Sequence, residues 1–515
     1  MSKYLKWLDD HILEYLSLAL LILIPLYPKI PLADVLPGYI VRIRLDDLLI
    51  GLAFGIWVIW LIRKKVTLKG NPLVIPLLLY FAVGLASSLS AIFITKTVPF
   101  QTLHVSKLAL HFARRFEYAS VFFVFFSSIK SLTQVKKYVF LAAIVLLAVS
   151  IYGFGQKYLY WPAFSTMNRE FSKGIKLYLS EHARVISTFG GHYDLAAYVM
   201  ILLSIFIPLG FIVKNVFQKL LLFLTSACAF WLLILTVSRT SFIAYVLAIT
   251  IVFGILITKK GWIWSISRWF IVMVLSLFVM ISFGQLSERF AHVLKLDRFK
   301  TVGLLKPVKS APSGNSIAYL KEVSPKSDTP PSTDKPNKPA DVTTDVPDFS
   351  NDPTLSASLA AKPRVYSQAA VQYDLSMGIR LDYTWPQAIK GFTRNPLLGS
   401  GYSTLTKAHI EEFTEAESTD NDFLRALGET GLLGFLAFFG TIIFIIFYTA
   451  KNFGKINDNF YAAIVAGIVA AIIGLLANAV YIDVFEASKV AYTYWILVAI
   501  LLATVKLSAS NSKTK

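Results

Sequence analysis

The sequence is poor in charged side chains and has almost no cysteine. Only 16% of its 515 residues are Asp, Glu, Lys or Arg, whereas a soluble domain carries about 25%. Hydrophobic residues make up 56% of the chain, and several apolar runs reach the ~20 residues that cross a bilayer. This composition excludes an ordinary soluble protein and predicts a polytopic membrane protein.

The single cysteine, Cys228, lies inside an apolar run. One cysteine excludes an internal disulfide, and its setting indicates a small packing residue. The first apolar run, 12–27, has no cleavage site of small residues after it. We therefore expect this run to be an uncleaved first membrane span and not a signal peptide.

The net charge of +19 does not indicate a nucleic-acid partner. Lys and Arg are concentrated in short loops between apolar runs, at 63–70, 130–137, 214–219, 259–262 and 451–455. Short basic loops of this kind are retained in the cytoplasm. The pattern predicts a multi-pass protein of the lipid bilayer with cytoplasmic N- and C-termini.

Apolar runs of span length occur twelve times. They lie near 11–28, 45–62, 72–94, 108–129, 136–155, 193–213, 218–237, 240–258, 263–284, 430–450, 459–482 and 488–507. The run 220–258 would be about 58 Å long as a single helix, against a hydrocarbon core of about 30 Å. It must therefore be two spans joined by a tight hairpin at 238–241, with Arg239 at the tip. The fold class predicted is an all-α polytopic membrane protein with about 12 transmembrane helices.

Three regions follow from this division of the chain. Residues 1–284 hold membrane helices 1–9, residues 285–429 form one large extracytoplasmic loop, and residues 430–515 hold helices 10–12 and a cytoplasmic tail. Ten of the chain's 21 prolines fall in 306–363, where seven basic and seven acidic residues cancel. Such a segment buries too little apolar surface to offset its ordering entropy. We predict a disordered insert there, and a folded helical part at 365–429.

Four groups of polar motifs fall on the predicted outer side. They are R-V-I-S-T-F-G at 184–190, S-R at 238–239, G-I-R at 378–380 with N-P-L-L-G-S-G at 395–401, and D-N-D-F-L at 420–424 with G-E-T-G-L-L-G at 428–434. Each motif alone is a weak signal. Together, in this order and on a twelve-span scaffold, they resemble the O-antigen ligase and polymerase family of bacterial envelope glycosyltransferases over roughly 180–440.

The resemblance implies an enzyme with a GT-C-like architecture in the bacterial cytoplasmic (inner) membrane, with its active site on the extracytoplasmic face. Such an enzyme takes a glycan from an undecaprenyl-diphosphate carrier and joins it to a hydroxyl of an acceptor glycan, glycolipid or protein. It implies no metal and no other cofactor. The leaving diphosphate gains charge as the anomeric C–O bond breaks, and arginine is a permanent cation with paired donors for phosphate.

Arg239 and Arg380 match the family's expected contacts to the diphosphate and sugar. Alternatively, Arg239 has no functional role and only extends its charged group from a helix end to the membrane interface. For Arg380, the alternative is that it lies on the solvated face of an amphipathic helix. Arg184 and His192, near the sixth span, are further candidates to bind the carrier. Arg184 could instead pair with Glu181, and His192 could be an ordinary polar residue at the interface.

The expected base departs from the family pattern. Ligases of the family carry a histidine directly before the residue that matches Asn421, a further candidate for substrate contact, and here that position is Asp420. A carboxylate can accept the acceptor's proton late in the transition state, although an ordinary pKa near ~3.9 makes it a weak base. The departure favours a polymerase-like enzyme over a true ligase.

Asp420 also has a structural alternative, because Thr419 and Asp422 have the spacing of a helix capping box. His409 and Glu429 are the fallback bases.

The fourth predicted span contains several charged residues. Charges within a membrane span are costly and usually face protein or water. Arg114 or Arg115 could pair with Glu117 and line the cavity that admits the carrier. Alternatively, this segment lies partly in the outer interface and the membrane span begins later.

A multi-pass transporter of a small anion or glycolipid is the alternative function, because twelve spans also suit a transporter. The sequence shows no inverted repeat of broken helices, however, and few ionisable residues in its central spans. A large outer loop rich in arginine and carboxylate favours a transferase.

Overall fold

The computed structural model describes residues 3–36, 41–167, 171–180, 183–283, 375–405 and 419–511. The predicted insert at 306–363 and the candidate base His409 lie outside these residues.

Twelve long helices lie in the described parts of the chain, one at each predicted span. They are α1 (Lys3–Leu26), α2 (Leu45–Ile62), α3 (Val74–Phe93), α4 (Thr102–Ser128), α5 (Leu132–Tyr158), α6 (His192–Ile212), α7 (Val216–Leu235), α8 (Arg239–Lys260), α9 (Trp262–Ser282), α12 (Asp422–Phe453), α13 (Asn459–Asn478) and α14 (Ser488–Asn511). The prediction of an all-α polytopic membrane protein is confirmed.

Ten of these helices are long and apolar enough to cross a membrane by length and composition alone. The other two, α1 and α4, carry more charge. In α1 the acidic residues Asp9, Asp10 and Glu14 fall within the first half of the helix. In α4 the first two turns begin outside the predicted span, and its 27 residues make it about 40 Å long, which exceeds the hydrocarbon core.

The remaining elements of the described chain are short. A two-stranded antiparallel hairpin pairs β1 (Ala33–Asp34) with β2 (Arg42–Ile43), and a 3-10 turn covers Phe171–Lys173. Before α12 the chain forms α10 (Leu375–Ile379), a π-helical turn at Arg380–Thr384 and α11 (Trp385–Arg394). These short helices lie within 365–429, where the sequence predicts a folded helical part.

The centre of the bundle is formed by α6, α13 and α14, the three most completely buried membrane helices of the described chain. Small residues allow the backbones to approach, as in other membrane helix pairs. A Cβ at Gly467 of α13 would lie 2.9 Å from the Cα of Ile205 in α6, and one at Gly474 would lie 3.0 Å from the Cβ of Ala248 in α8. The hairpin predicted between the seventh and eighth spans is present, since α7 ends at Leu235 and α8 begins at Arg239.

The basic loops gather at one end of the bundle. Arg63 and Lys65, after α2, pair with Asp9 of α1 at 2.8 and 2.7 Å. Lys259, at the end of α8, donates to the carbonyl of Ile456 between α12 and α13 at 2.9 Å. The loops that the charge pattern assigns to the cytoplasm therefore share one face of the molecule.

A buried lysine fastens the opposite end. Lys489, in the first turn of α14, is 1% exposed and donates to three carbonyl oxygens, those of Pro25, Tyr27 and Thr188, at 2.7–2.9 Å. A buried ammonium is tolerated only when its donors are satisfied. The contacts join the ends of α1 and α14 to the loop before α6.

The N-P-L-L-G-S-G loop lies directly on a kink in α12. Gly431 has φ +66° and ψ −168°, which interrupts the helix. The amides of Leu432 and Leu433 donate to the carbonyls of Pro396 and Leu397, at 2.8 and 3.1 Å. Backbone is therefore packed on backbone, and the glycines of the two motifs allow this close approach.

Gly431→Ala should lower the stability of the protein by more than about 2 kcal/mol. The new Cβ would lie 2.4 Å from the carbonyl carbon of Leu397, and this combination of φ and ψ alone costs of order 1–3 kcal/mol for residues other than glycine. The matched control is Gly440→Ala in the same helix, where no atom lies within 4 Å of the added methyl. Unfolding midpoints of the purified proteins in detergent test this, and equal midpoints for the two variants would contradict it.

Candidate functional site

Opposite the basic loops, a network of buried charges joins α4, α12 and the turn between α13 and α14. We call it the charge network, and its members are Arg115, Arg425, Glu429, Asp483 and Glu486. Buried charges are tolerated when each has partners, whereas one left alone is strongly destabilising. The network therefore determines how these elements pack.

Glu429 is the hub of the charge network. It is 2% exposed and accepts from Arg115 Nη2 and from the backbone amide of Ser403, both at 2.9 Å. Arg425 Nε lies 3.4 Å from its Oε1. The Ser403 contact also fixes the N-P-L-L-G-S-G loop, so Glu429 connects two of the predicted motifs. Both carboxylate oxygens of Glu429, a predicted fallback base, already have partners within the protein.

The second half of the network comes from the turn between α13 and α14. Arg425 Nη1 lies 2.8 Å from Asp483 Oδ2, and Arg115 Nη2 lies 2.6 Å from Glu486 Oε1. The ring of Tyr402 covers the guanidinium of Arg115, with Cζ 4.1 Å from the ring centroid. Burial raises the pKa of Tyr402 well above its usual value, so this tyrosine stays neutral beside the carboxylates.

Asp483 also holds the segment that carries the expected base. Its carboxylate accepts from the amides of Thr419 and Asn421, at 2.9 and 2.8 Å, and so clamps the residues on both sides of Asp420. Asn421 is the N-cap of α12, and its side chain accepts from the amide of Leu424 at 2.9 Å. The expected capping box of Thr419 and Asp422 is therefore wrong, because the Thr419 hydroxyl points to Asp483 instead.

Between these clamped residues, Asp420 has a left-handed backbone with φ +51°. Its carboxylate is 37% exposed and pairs with Arg380, with Nη2 to Oδ2 at 3.0 Å. Arg380 begins the π-helical turn and also donates to the carbonyl of Tyr481 at 3.2 Å. Unusual backbone and π-turns are often found at functional sites. The structure thus brings two of the three predicted catalytic residues together.

The N-terminal end of α8, which carries Arg239, is connected to the same turn by a different route. It is the first residue of α8, after the N-cap Ser238. Ser241 donates to the side chain of Asn478 at the end of α13, and the next carbonyl, that of Ala479, accepts from the amide of Asp422 at 2.9 Å. The end of α8 is therefore joined to the turn that also contacts Arg380.

Arg184 and His192 form a pair of their own. Arg184 Nη1 lies 2.6 Å from His192 Nε2, and His192 is 2% exposed at the first position of α6. Each of the two side chains therefore has the other as a hydrogen-bond partner. The alternative partner, Glu181, lies outside the described residues.

The charged residues of α4 divide into two sets. Arg114 pairs with Glu117, as expected, and also with Asp47 of α2, at 2.9 and 2.7 Å. Arg115, one residue on, points to the charge network instead. Arg115 in this way joins α4 to α12 and to the turn between α13 and α14.

The comparisons with known proteins can be placed on this geometry. The family model described as O-antigen ligase matches residues 224–439. This match supports the assignment of the chain to an O-antigen ligase and polymerase family. The matched region runs from α7 into the membrane part of α12 and contains Arg239, Arg380 and Asp420. No curated protein sequence matches the chain.

The match to the O-antigen ligase model supports a glycan-processing membrane enzyme of the bacterial envelope. Part of the charge network lies outside the matched region. Sequence reasoning missed Arg425, Asp483 and Glu486 as functional residues. A signal for two of them is present in the sequence: Asp483 and Glu486 are acidic residues in the short turn between two apolar spans.

Arg425→Ala should destabilise the protein by about 3–5 kcal/mol, because it leaves buried carboxylates without their cation. Arg380→Ala should cost less, because the carboxylate that it leaves without a partner, that of Asp420, is 37% exposed and can be solvated by water. Thermal unfolding of both variants in detergent makes the comparison. A larger loss in Arg380→Ala than in Arg425→Ala would contradict this division between fold and site.

Proposed function

We propose that the protein transfers or polymerises glycan from an undecaprenyl-diphosphate carrier to an acceptor hydroxyl at the outer face of the bacterial cytoplasmic membrane. Both termini lie in the cytoplasm in this proposal, because the basic loops gather at the end of the bundle opposite the charge network. The observation that carries the proposal is the contact between Arg380 and Asp420. It sets a cation for the diphosphate beside a carboxylate that can receive a proton.

Arg380 and Arg239 are proposed to bind the carrier diphosphate. As the anomeric C–O bond breaks, the electron pair goes to the diphosphate oxygen, and fixed cations stabilise the charge that develops there. Arginine is suited to this task because its planar donors match phosphate oxygens two at a time. The two residues come from separate parts of the chain, so the site exists only in the folded bundle.

Asp420 is proposed to receive the proton of the acceptor hydroxyl as the new glycosidic bond forms. Its carboxylate pairs with Arg380, and an adjacent cation stabilises the charged form of a carboxylate. A bound diphosphate competes for the same guanidinium and weakens that pair. Substrate binding therefore makes the carboxylate a better base at the moment when it is needed. The aspartate at this position favours a polymerase-like reaction, as the sequence predicts.

Arg380→Ala and Arg239→Ala should each abolish glycan transfer, because removal of a preorganised charge of this kind costs about 10²–10³ in rate. The matched control is Arg394→Ala, which removes an exposed arginine from the end of α11. Polymer or conjugate formed by a deletion strain that carries each variant is compared on gels, with membrane levels measured by immunoblot. Normal product from either of the first two variants would reject the assigned roles.

Asp420→Asn should lose most activity, because an amide keeps the shape of the side chain but cannot accept the proton. Asp420→His should retain a measurable part of it, since imidazole is a competent base near neutral pH and family ligases carry histidine here. Product formation by the two variants at matched expression is the measurement. Full activity in Asp420→Asn would show that the base lies elsewhere.

A further inference from the structure

A polar cavity borders the charge network, and all of its lining residues except Arg425 lie outside the region matched by the ligase family. Its volume is about 220 Å³, and α1, α2, α4, α6 and α14 or the loops at their ends surround it. The side chains that could bind a ligand there are Lys29, Arg44, His111, Arg114, Asp194 and Arg425. Glu486 of the charge network also lines it.

Two of the cavity's cations are already committed to carboxylates. Arg114 is paired with Asp47 and Glu117, and Arg425 is paired within the charge network. Lys29 and Arg44 differ from them, because neither forms an ion pair with a described carboxylate. The uncommitted positive charge of the cavity is therefore concentrated on these two residues.

Lys29 is 5% exposed, and its ammonium donates to the hydroxyl of Ser488 at the start of α14. Burial, and then the charge of Arg44, lower its pKa to about 8. Asp46 and Asp47 of α2 and Asp194 of α6 oppose this shift from a distance. A ligand with a negative charge would remove the cost of keeping this ammonium charged.

Arg44 is the N-cap of α2 and lines the cavity. Its Nε is buried and has no hydrogen-bond partner in the described chain. A buried donor without a partner costs about 1–3 kcal/mol, so the position is expensive unless something occupies it. The planar donors of arginine fit the two oxygens of a carboxylate or phosphate.

We propose that this cavity binds an oxyanion, a carboxylate or phosphate, carried by a sugar of the acceptor, with Lys29 and Arg44 as the recognising residues. The proposal rests on the proposed function, because it adds an acceptor subsite to the donor site at Arg239 and Arg380. Arg425 and Glu486 line this cavity and belong to the charge network, whose Asp483 clamps Asp420. A sugar held by its acidic group in the cavity would therefore lie next to the segment that carries the base.

The size of the cavity suits a small polar group. At ≈30 Å³ for each water in the liquid, it holds about seven waters, which is room for a carboxylate or phosphate with part of a sugar ring. Val41 and Leu110 supply an apolar part of the wall, as is usual for sugar and small-molecule sites. A neutral sugar would leave both Lys29 and Arg44 without an anionic partner.

Binding of monosaccharides to the full-length protein in zwitterionic nanodiscs tests the proposal. The probes are glucuronic acid, glucose 6-phosphate, inorganic phosphate and neutral glucose, measured by saturation-transfer difference NMR. The first two should bind and glucose should not. Lys29→Gln and Arg44→Gln should each weaken binding about tenfold or more, as expected for a lost charged hydrogen bond. Anionic nanodiscs should leave the affinity unchanged, and a loss there would show that the cavity binds a lipid headgroup instead.

Three controls keep the test specific. Arg44→Lys keeps the charge but loses the paired donors, so its affinity should fall between those of the wild type and Arg44→Gln. Lys96→Gln removes an exposed cation from the loop between α3 and α4 and should bind normally. Gel filtration of each variant establishes that it is folded.

Undecaprenyl diphosphate is titrated into the same proteins. Its affinity should fall in Arg239→Gln and Arg380→Gln and remain unchanged in Lys29→Gln and Arg44→Gln. If the acidic sugars bind equally to wild type and the cavity variants, or do not bind the wild type, the acceptor subsite is rejected. If instead the diphosphate binds normally to the Arg239 and Arg380 variants, the proposed donor site fails while the cavity result stands.

Discussion

Two arginines, Arg115 and Arg425, are buried at one end of an apolar bundle and require carboxylates as partners. Neighbouring segments at the same end supply these carboxylates. Arg115 comes from α4 and Arg425 from α12, and neither helix carries enough acid to satisfy both. The partners Asp483 and Glu486 come from the turn before α14. Because a lone charge in this environment costs several kcal/mol, these segments must fold together. Loss of one partner destabilises all of them.

This constraint links packing to the candidate reaction. The same Asp483 that neutralises Arg425 also accepts from the amides on each side of Asp420. The reactive carboxylate is thus held by its backbone, while its side chain remains partly exposed and reaches Arg380. Rigid support with an accessible functional group is what a preorganised site requires. The glycines of the N-P-L-L-G-S-G loop and of the kink in α12 serve the same end, because they let the loop reach Glu429.

The helices could be predicted from sequence because apolar runs of span length leave few alternatives, and each of the twelve long helices lies at a predicted span. The contact between Arg380 and Asp420 could only be expected through the family motifs. The charge network could not be read from periodicity. Its members are far apart in sequence. Arg114 and Arg115 are adjacent in α4, and the rotation of the helix decides which of them faces α2 and which faces α12. The N-cap was misassigned for a related reason, since Asp483 attracts the Thr419 hydroxyl from sixty-four residues away.

The left-handed backbone of Asp420 restricts what chemistry this position can carry. Positive φ is several-fold enriched in asparagine, aspartate and histidine among residues other than glycine, and β-branched or bulky side chains are strongly disfavoured there. The two proton acceptors in this group are aspartate and histidine. An enzyme on this scaffold can therefore exchange a carboxylate for an imidazole without refolding the loop. Because the same backbone conformation accepts either residue, a single substitution at position 420 can change the strength of the base.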